Sequence, residues 1–434
     1  MVNLTKEGLF SNKLMEEIRE KFAFIDSDPI TKKKRLFFDN AGGSFRLKSA
    51  VEKFSEFDMF PDHPQREHEA ARYLAEIEER GIEDIRIIFN GKTGSISPYL
   101  TASQAIFDIT GVITENIDGT NIVTTELEHP SAFDSAKFYA NKLGKELRTA
   151  KTNPITGGVD VEEITKLIDD NTCLLTVIYA SNISGAILDI ETIVREARKI
   201  KPNLYIIVDS VQHAPHGIID MEKTPVDAMN FAPYKFFGIR GCGIAYLSER
   251  AAKLPHHSLN GKSEGDWQLG SPAPAHFAAI SEIVNYVCWI GSQFSNEKDK
   301  RILYVEGMRR IALHERTLLE VLLNGTERVK GLRNIMGVTV HLDYEDLSKR
   351  DLIVAITIDN LDFKEAVRQY EKENVIVYER VASSIYSKRM LESFGMTGSI
   401  RISPLHCNSV EEVEELLEVT QKIAERSVAV SRSE

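Results

Sequence analysis

The sequence predicts an α/β protein: a large domain with a mainly parallel, doubly wound sheet, followed by a smaller α+β C-terminal domain. Three observations predict it. Apolar runs of strand length alternate with helical patterns between about residues 100 and 250, as in repeated strand–helix–strand units. One run, Cys173 to Ala180, is apolar almost throughout, which suits a strand covered by helices on both faces. Several runs end abruptly in polar groups, and the C-terminal tips of parallel strands are where such sheets collect ligand residues.

The chain has 434 residues, enough for two or three domains, and 42% of them are hydrophobic, so a core is within reach without disulfides. A formal charge of −12 with acids and bases interspersed argues against nucleic-acid binding and against an anionic membrane surface. The four cysteines, Cys173, Cys242, Cys288 and Cys407, stand far apart with no C-x-x-C, so a zinc site is not expected. No apolar run approaches the ~20 residues that span a bilayer. The stretch Met1 to Glu7 is polar and lacks the apolar centre of a signal peptide, which reads as cytoplasmic.

In chain order, residues 1–35 read as a helical lead-in, with Leu14, Ile18 and Phe22 at helical spacing. The strand Leu36-Phe37-Phe38 breaks into Asp39-Asn40-Ala41-Gly42-Gly43, where glycine permits close backbone approach to a ligand. Residues 50–90 are charged and predict helices; His63 and His68 within this region read as surface residues. Thr101-Ala102-Ser103 opens an apolar helix, and a helix N-terminus with free N–H groups suits a phosphate. Asn121 to Thr125 is a strand leading to Glu128-His129-Pro130-Ser131. The Cys173 strand ends in Ser181-Asn182, and a helix near Ile193 to Ile200 returns the chain to the next strand.

That next strand, Leu204 to Val208, ends in Asp209, followed by Gln212. Lys235 then sits in aromatic company, Tyr234, Phe236 and Phe237, before a glycine-spaced turn, Gly238 to Gly243. A lysine so surrounded is easily desolvated, which disfavours the ammonium and leaves an amine able to attack a carbonyl. Lysine and a strand-tip acid are the pair a pyridoxal phosphate (PLP) cofactor requires: one holds the aldehyde as an imine, the other keeps the pyridine nitrogen protonated. Beyond residue 250 come a Gly270-Ser271-Pro272 turn, a long helical region from about Ala275 to Leu323, and shorter strands and helices. Among these, Ile400-Arg401-Ile402 alternates an arginine out of an apolar strand, where it can offer a fork to a carboxylate.

Val208-Asp209-Ser210-Val211-Gln212-His213, taken with Tyr234-Lys235 and Gly238 to Gly243, resembles the class V aminotransferase family of PLP enzymes, fold type I. That family includes cysteine desulfurases, kynureninases and isopenicillin N epimerases. The resemblance implies PLP held covalently on Lys235, with Asp209 at the pyridine nitrogen, Gln212 and Asn182 at the ring hydroxyl, and His129 stacked on the ring. It implies phosphate contacts from Ala102, Ser103 and Tyr234, and from Ser271 across a homodimer interface. The substrate would lie against Asn40, Ala41, Gly42 and Asn182, its α-carboxylate on Arg401. Three places depart from the family pattern: Thr101 stands where the phosphate motif has its first glycine, Pro130 stands where the histidine motif has its second histidine, and Pro233-Tyr234 replaces the usual His or Ser-His.

The resemblance further implies a division into an N-terminal helical segment packing with the small domain (1–40), a PLP-binding domain (41–290), and an interdomain helix with the small domain (291–434). The implied reaction begins when an amino acid displaces Lys235 from the cofactor and the freed amine takes its α-proton. No cysteine occurs in the forty residues before Arg401, where desulfurases carry their sulfur acceptor. A β-lyase acting on a carbon–sulfur or related bond, without a persulfide cysteine, is therefore expected. Transamination, epimerisation and a catalytically silent fold relative are the alternatives.

Overall fold

The computed structural model describes residues 8–431, so the Met1–Glu7 stretch and the reading made from it lie outside the described residues. Helix α1 (Asn12–Glu20) is capped by Ser11, whose hydroxyl accepts from the Leu14 N–H at 3.3 Å. The helix ends at Glu20, so the helical lead-in is shorter than its spacing suggests, and Phe22 lies beyond it. Leu14, Ile18 and Phe22 are buried in the larger core cluster, whereas Leu36 and Phe38 join the smaller one. The segment before residue 40 thus divides between two cores. Strand β1 (Leu36–Phe37) precedes α2 (Lys48–Asp58) and α3 (Glu69–Phe89), and His68 caps α3 by accepting from Ala71 N–H.

The next elements are β2 (Ser95–Tyr99), α4 (Ala102–Asn116), β3 (Asn121–Thr125), α5 (Pro130–Leu143), β4 (Glu146–Ala150), α6 (Val161–Thr165), β5 (Thr172–Ile178), α7 (Ile190–Ile200), β6 (Tyr205–Asp209), β7 (Ala228–Phe231), β8 (Gly243–Leu247) and α8 (Glu249–Ala252). The seven strands form one sheet in the order β2-β8-β7-β6-β5-β3-β4. Strand β8 runs against both of its neighbours and the remaining pairings are parallel. Every residue of β5 is buried, as a strand covered on both faces requires. Helix α7 supplies part of that cover with Ile190, Ile193, Val194 and Ala197 on one side.

The predicted long helical region is two helices, α9 (Pro274–Ser292) and α10 (Lys300–Asn324). Asp299 caps α10 by accepting from Ile302 N–H at 2.9 Å, which restarts the helix after a polar turn. The two cross where a Cβ on Gly291 would stand 2.0 Å from the Leu303 carbonyl and one on Gly307 2.0 Å from that of Val287. Only glycine permits this backbone approach. The chain ends in β9 (Val338–His341), β10 (Val354–Ile358), α11 (Phe363–Lys372), β11 (Val375–Ile376), β12 (Tyr378–Val381), α12 (Lys388–Ser393), β13 (Gly398–Ile402) and α13 (Val410–Ser431). Four of these strands form an antiparallel sheet, β12-β13-β10-β9, over the second core. Ser409 and Glu412 form the reciprocal capping box expected at the start of α13. Among the described residues no helix is long and apolar enough to cross a membrane.

Candidate active site

Asp209 ends β6 with its carboxylate buried, accepting from the Val211 N–H at 3.1 Å. Burial raises its carboxyl above the ordinary range, against the pull of that N–H and of Lys235. Lys235 closes a 3-10 turn, Pro233–Lys235, and its Nζ donates to Gln212 Oε1 at 3.5 Å. Burial, reinforced by the Arg401 guanidinium, pushes the Lys235 amine down to about 8, so the free base is accessible near neutral pH. The turn is rigid. Phe237, two residues on, takes the left-handed backbone (φ 62°) and donates its N–H to Ser44 Oγ at 2.9 Å.

These groups border one cavity of about 370 Å³. The structure brings Ala102, Ser103, His129, Asn182, Asp209, Gln212, Tyr234 and Lys235 to its wall. Ser271 is exposed and lies outside this lining. At one end is the start of α4. Thr101 caps that helix by accepting from Gln104 N–H at 3.1 Å, and the N–H groups of Ala102 and Ser103 belong to the first turn, which has no intrahelical acceptor. Gly243 makes room for this end: a Cβ there would stand 2.2 Å from the Ala102 nitrogen.

His129 caps α5, its Nδ1 held 2.7 Å from Ser131 Oγ. Burial, with Lys235 and two arginines nearby, pushes it down to about 3, so the ring is neutral. Arg389 fixes the preceding turn by donating to the carbonyls of Glu126 and Glu128. Glu128, buried beneath it, is pushed up to about 8 by burial.

Arg401 is 2% exposed on β13. It donates to the Asn182 carbonyl at 3.2 Å and to Asp39 Oδ1 at 2.6 Å. The 39–46 loop therefore meets the arginine through Asp39, a residue the sequence reading passed over. Asn40 is oriented otherwise than expected: its amide donates to the Ser403 carbonyl at 3.1 Å and its oxygen accepts from Phe45 N–H at 3.1 Å. Ala41 N–H is bound to Ser403 Oγ at 3.0 Å and Gly42 N–H to the Asp39 carbonyl at 3.0 Å. These groups shape the loop instead of facing the cavity.

Asn230 was also missed. It lines the cavity from β7, beside Asp209 in register, and neither polar atom of its buried amide has a partner. A single polar residue within Ala228-Met229-Asn230-Phe231 is the signal that could have found it. Asn182 Oδ1 is likewise buried without a partner. Orphaned polar atoms on a cavity wall call for a polar ligand. With an amine, an acid and a helix start around them, the residues fit PLP.

The family model described as aminotransferase class-V matches residues 36–416. The chain belongs to the class-V aminotransferase family. Enzymes of this family are PLP-dependent, carry the cofactor on a lysine and act on amino acids. A probable cysteine desulfurase of Borreliella burgdorferi is 26% identical over 317 residues, 65% of this chain and 74% of that protein. A cysteine desulfurase of Synechococcus elongatus is 22% identical over 96% of this chain and 64% of its own length. In fold, the chain is similar to the apo cysteine desulfurase from Thermococcus onnurineus: TM-score 0.75, 20% identity, 94% of this chain and 98% of that one. A cysteine desulfurase from Escherichia coli gives a TM-score of 0.77 at 16% identity, over 97% of this chain and 99% of that one. These likenesses make the fold type I.

Proposed function

We propose that this class-V enzyme is a β-lyase that breaks a carbon–sulfur or related bond of an amino acid without a persulfide-forming cysteine. The observation that carries the proposal is the Lys235 amine, held near neutrality by burial, on the wall of one cavity with Asp209. In this reading Lys235 holds the cofactor and, once released, takes the substrate α-proton. Asp209 keeps the ring nitrogen protonated. Gln212 and Asn182 meet the ring hydroxyl, and neutral His129 lies on the ring face. Ala102 and Ser103 N–H groups with the Tyr234 hydroxyl hold the phosphate. Ser271 reaches the phosphate of a second copy in a homodimer. Arg401 holds the α-carboxylate once Asp39 yields it. Bound PLP supplies the electron sink for the pair left at the α-carbon.

The relatives named cysteine desulfurase support the choice of carbon–sulfur cleavage. The absence of a cysteine at positions 361–400 supports release of sulfur to solvent. Cys407 lies after Arg401, buried, with burial holding its thiol well above the ordinary range, so it is no thiolate. We read residues 41–290 as the PLP-binding domain, 291–434 as the interdomain helix and small domain, 1–40 as the lead-in, and the enzyme as cytoplasmic.

Product analysis tests the reading. The PLP-loaded enzyme, given cysteine or an S-substituted relative, is expected to take up water and release pyruvate, ammonia and the sulfur leaving group in equal amounts. Substitution Cys407→Ala is expected to leave this unchanged. Alanine together with protein-bound sulfane sulfur would overturn the proposal.

A further inference from the structure

The 39–46 loop has a guanidinium at each end. At the first, Arg401 is neutralised by Asp39 at 2.6 Å. At the second, Arg46 donates to the carbonyls of Ser44 and Tyr234, at 2.7 Å to Tyr234, and Arg240 lies with its guanidinium carbon 4.3 Å from the centre of the Tyr234 ring. Both converge on Gly43: a Cβ there would stand 2.9 Å from Arg240 Nη2 and 3.7 Å from Arg46 Nη2. Among the described residues, the titratable groups acting on Arg46 are Arg240 and Tyr234, and no carboxylate pairs with either arginine. Burial and the like charge of Arg240 push the Arg46 guanidinium down to about 10. Arg46 is half-buried and Arg240 exposed, and an anion between two neighbouring like charges offsets their repulsion. The place for one is open, because Arg240 lines the cavity that holds Lys235.

We propose that Arg46 and Arg240, closing over Gly43, seat a second oxyanion of the substrate, so that the amino acid taken by this site ends its side chain in a carboxylate, sulfinate or sulfonate. The proposal rests on the reading of the cavity as an amino-acid site. The loop argues for the substrate rather than the cofactor as the source of the anion. It carries Asp39, on the α-carboxylate arginine, and Gly43 four residues later. Gly42 N–H bonds the Asp39 carbonyl and Gly43 N–H the Asn40 carbonyl, each at 3.0 Å. This folding brings the backbone at Gly43 closer to that at Asp39 than the ~13 Å of four extended residues. The cofactor phosphate already has the first turn of α4.

Calorimetric titration of the full PLP-loaded chain with succinate and with butyrate tests the seat, since the two acids differ in one carboxylate. Wild type is expected to bind succinate roughly ten- to a hundredfold tighter, the range of one charge-assisted contact. Arg240→Leu is expected to abolish the preference and Arg240→Lys to restore part of it, with PLP retention and subunit mass unchanged. Equal binding of the two acids by wild type overturns the proposal. If Arg240→Leu instead weakens retention of PLP but not of pyridoxal, the arginines serve the cofactor phosphate and the proposal falls. A change in subunit mass would assign them to a contact between copies, and it falls again. Failure of the cofactor reading is seen separately, as a chain that gains no visible absorbance with PLP while its preference for succinate is still measurable.

Discussion

At the scale of the residue, the reactive group is made by its surroundings. An exposed lysine titrates near 10.4, whereas burial and Arg401 bring Lys235 to about 8. The free amine therefore grows about tenfold per pH unit up to that point and levels off above it. The rate at which cofactor-free enzyme captures PLP, followed by absorbance, is expected to show the same inflection near pH 8. Substitution Arg401→Leu removes a like charge and leaves Asp39 unpaired beside the amine. Both effects favour the ammonium, so the inflection is expected to move upward; a downward move would contradict the electrostatic account. Lys235 and Asp209 were legible in the sequence because each sits in a local context, aromatic neighbours for one and a strand end for the other. Asp39, Arg46, Asn230 and Arg240 were not. Their meaning arises from contacts such as Arg401 with Asp39, which joins positions 362 residues apart.

At the scale of the element, the cavity depends on how closely β8 passes the start of α4. A methyl on Gly243 would press on the Ala102 nitrogen, 2.2 Å away, and a backbone atom yields less readily than the tip of a side chain. Gly243→Ala is expected to cost about 1–3 kcal/mol of stability, the range for overpacking, and to weaken PLP retention more than it changes far-UV circular dichroism. Retention equal to wild type would show that the helix start does not hold the cofactor. The parallel sheet was legible from its apolar runs, because residues buried on both faces leave an unbroken signature. The break between α9 and α10 was not. Ser295, Asn296 and Asp299 carry the turn and cap, but among charged neighbours such residues read equally as the wet face of one helix.

At the scale of the molecule, a buried ionic cluster joins the loop after β6 to α10 and to the junction before α13. Glu315 lies 2.7 Å from His216 Nδ1 and accepts from the His406 N–H at 3.0 Å. Burial opposes both charges, yet their mutual attraction prevails: His216 is raised to about 9 and Glu315 lowered to about 2. The Glu315 contribution is present above its unfolded value, about 4.3, and is lost as pH falls through 2. The His216 contribution is complete below its unfolded value, about 6.5, and is lost as pH rises through 9. Glu315→Gln is therefore expected to cost about 3–5 kcal/mol, as removal of one partner of a buried pair does. Thermal melts across pH should show the deficit largest near pH 4.5–6.5 and shrinking toward either extreme; a deficit independent of pH would mean packing, not charge. His216 reads in sequence only as a neighbour of the Asp209 strand, since its acid lies about a hundred residues on. The central claim is that one lysine carries the cofactor. It is tested most directly by reducing the PLP-loaded enzyme with borohydride, digesting it, and locating the phosphopyridoxyl group by mass spectrometry. The account predicts the modification on Lys235 and its loss in Lys235→Ala; a modification on another lysine, or none, would contradict it.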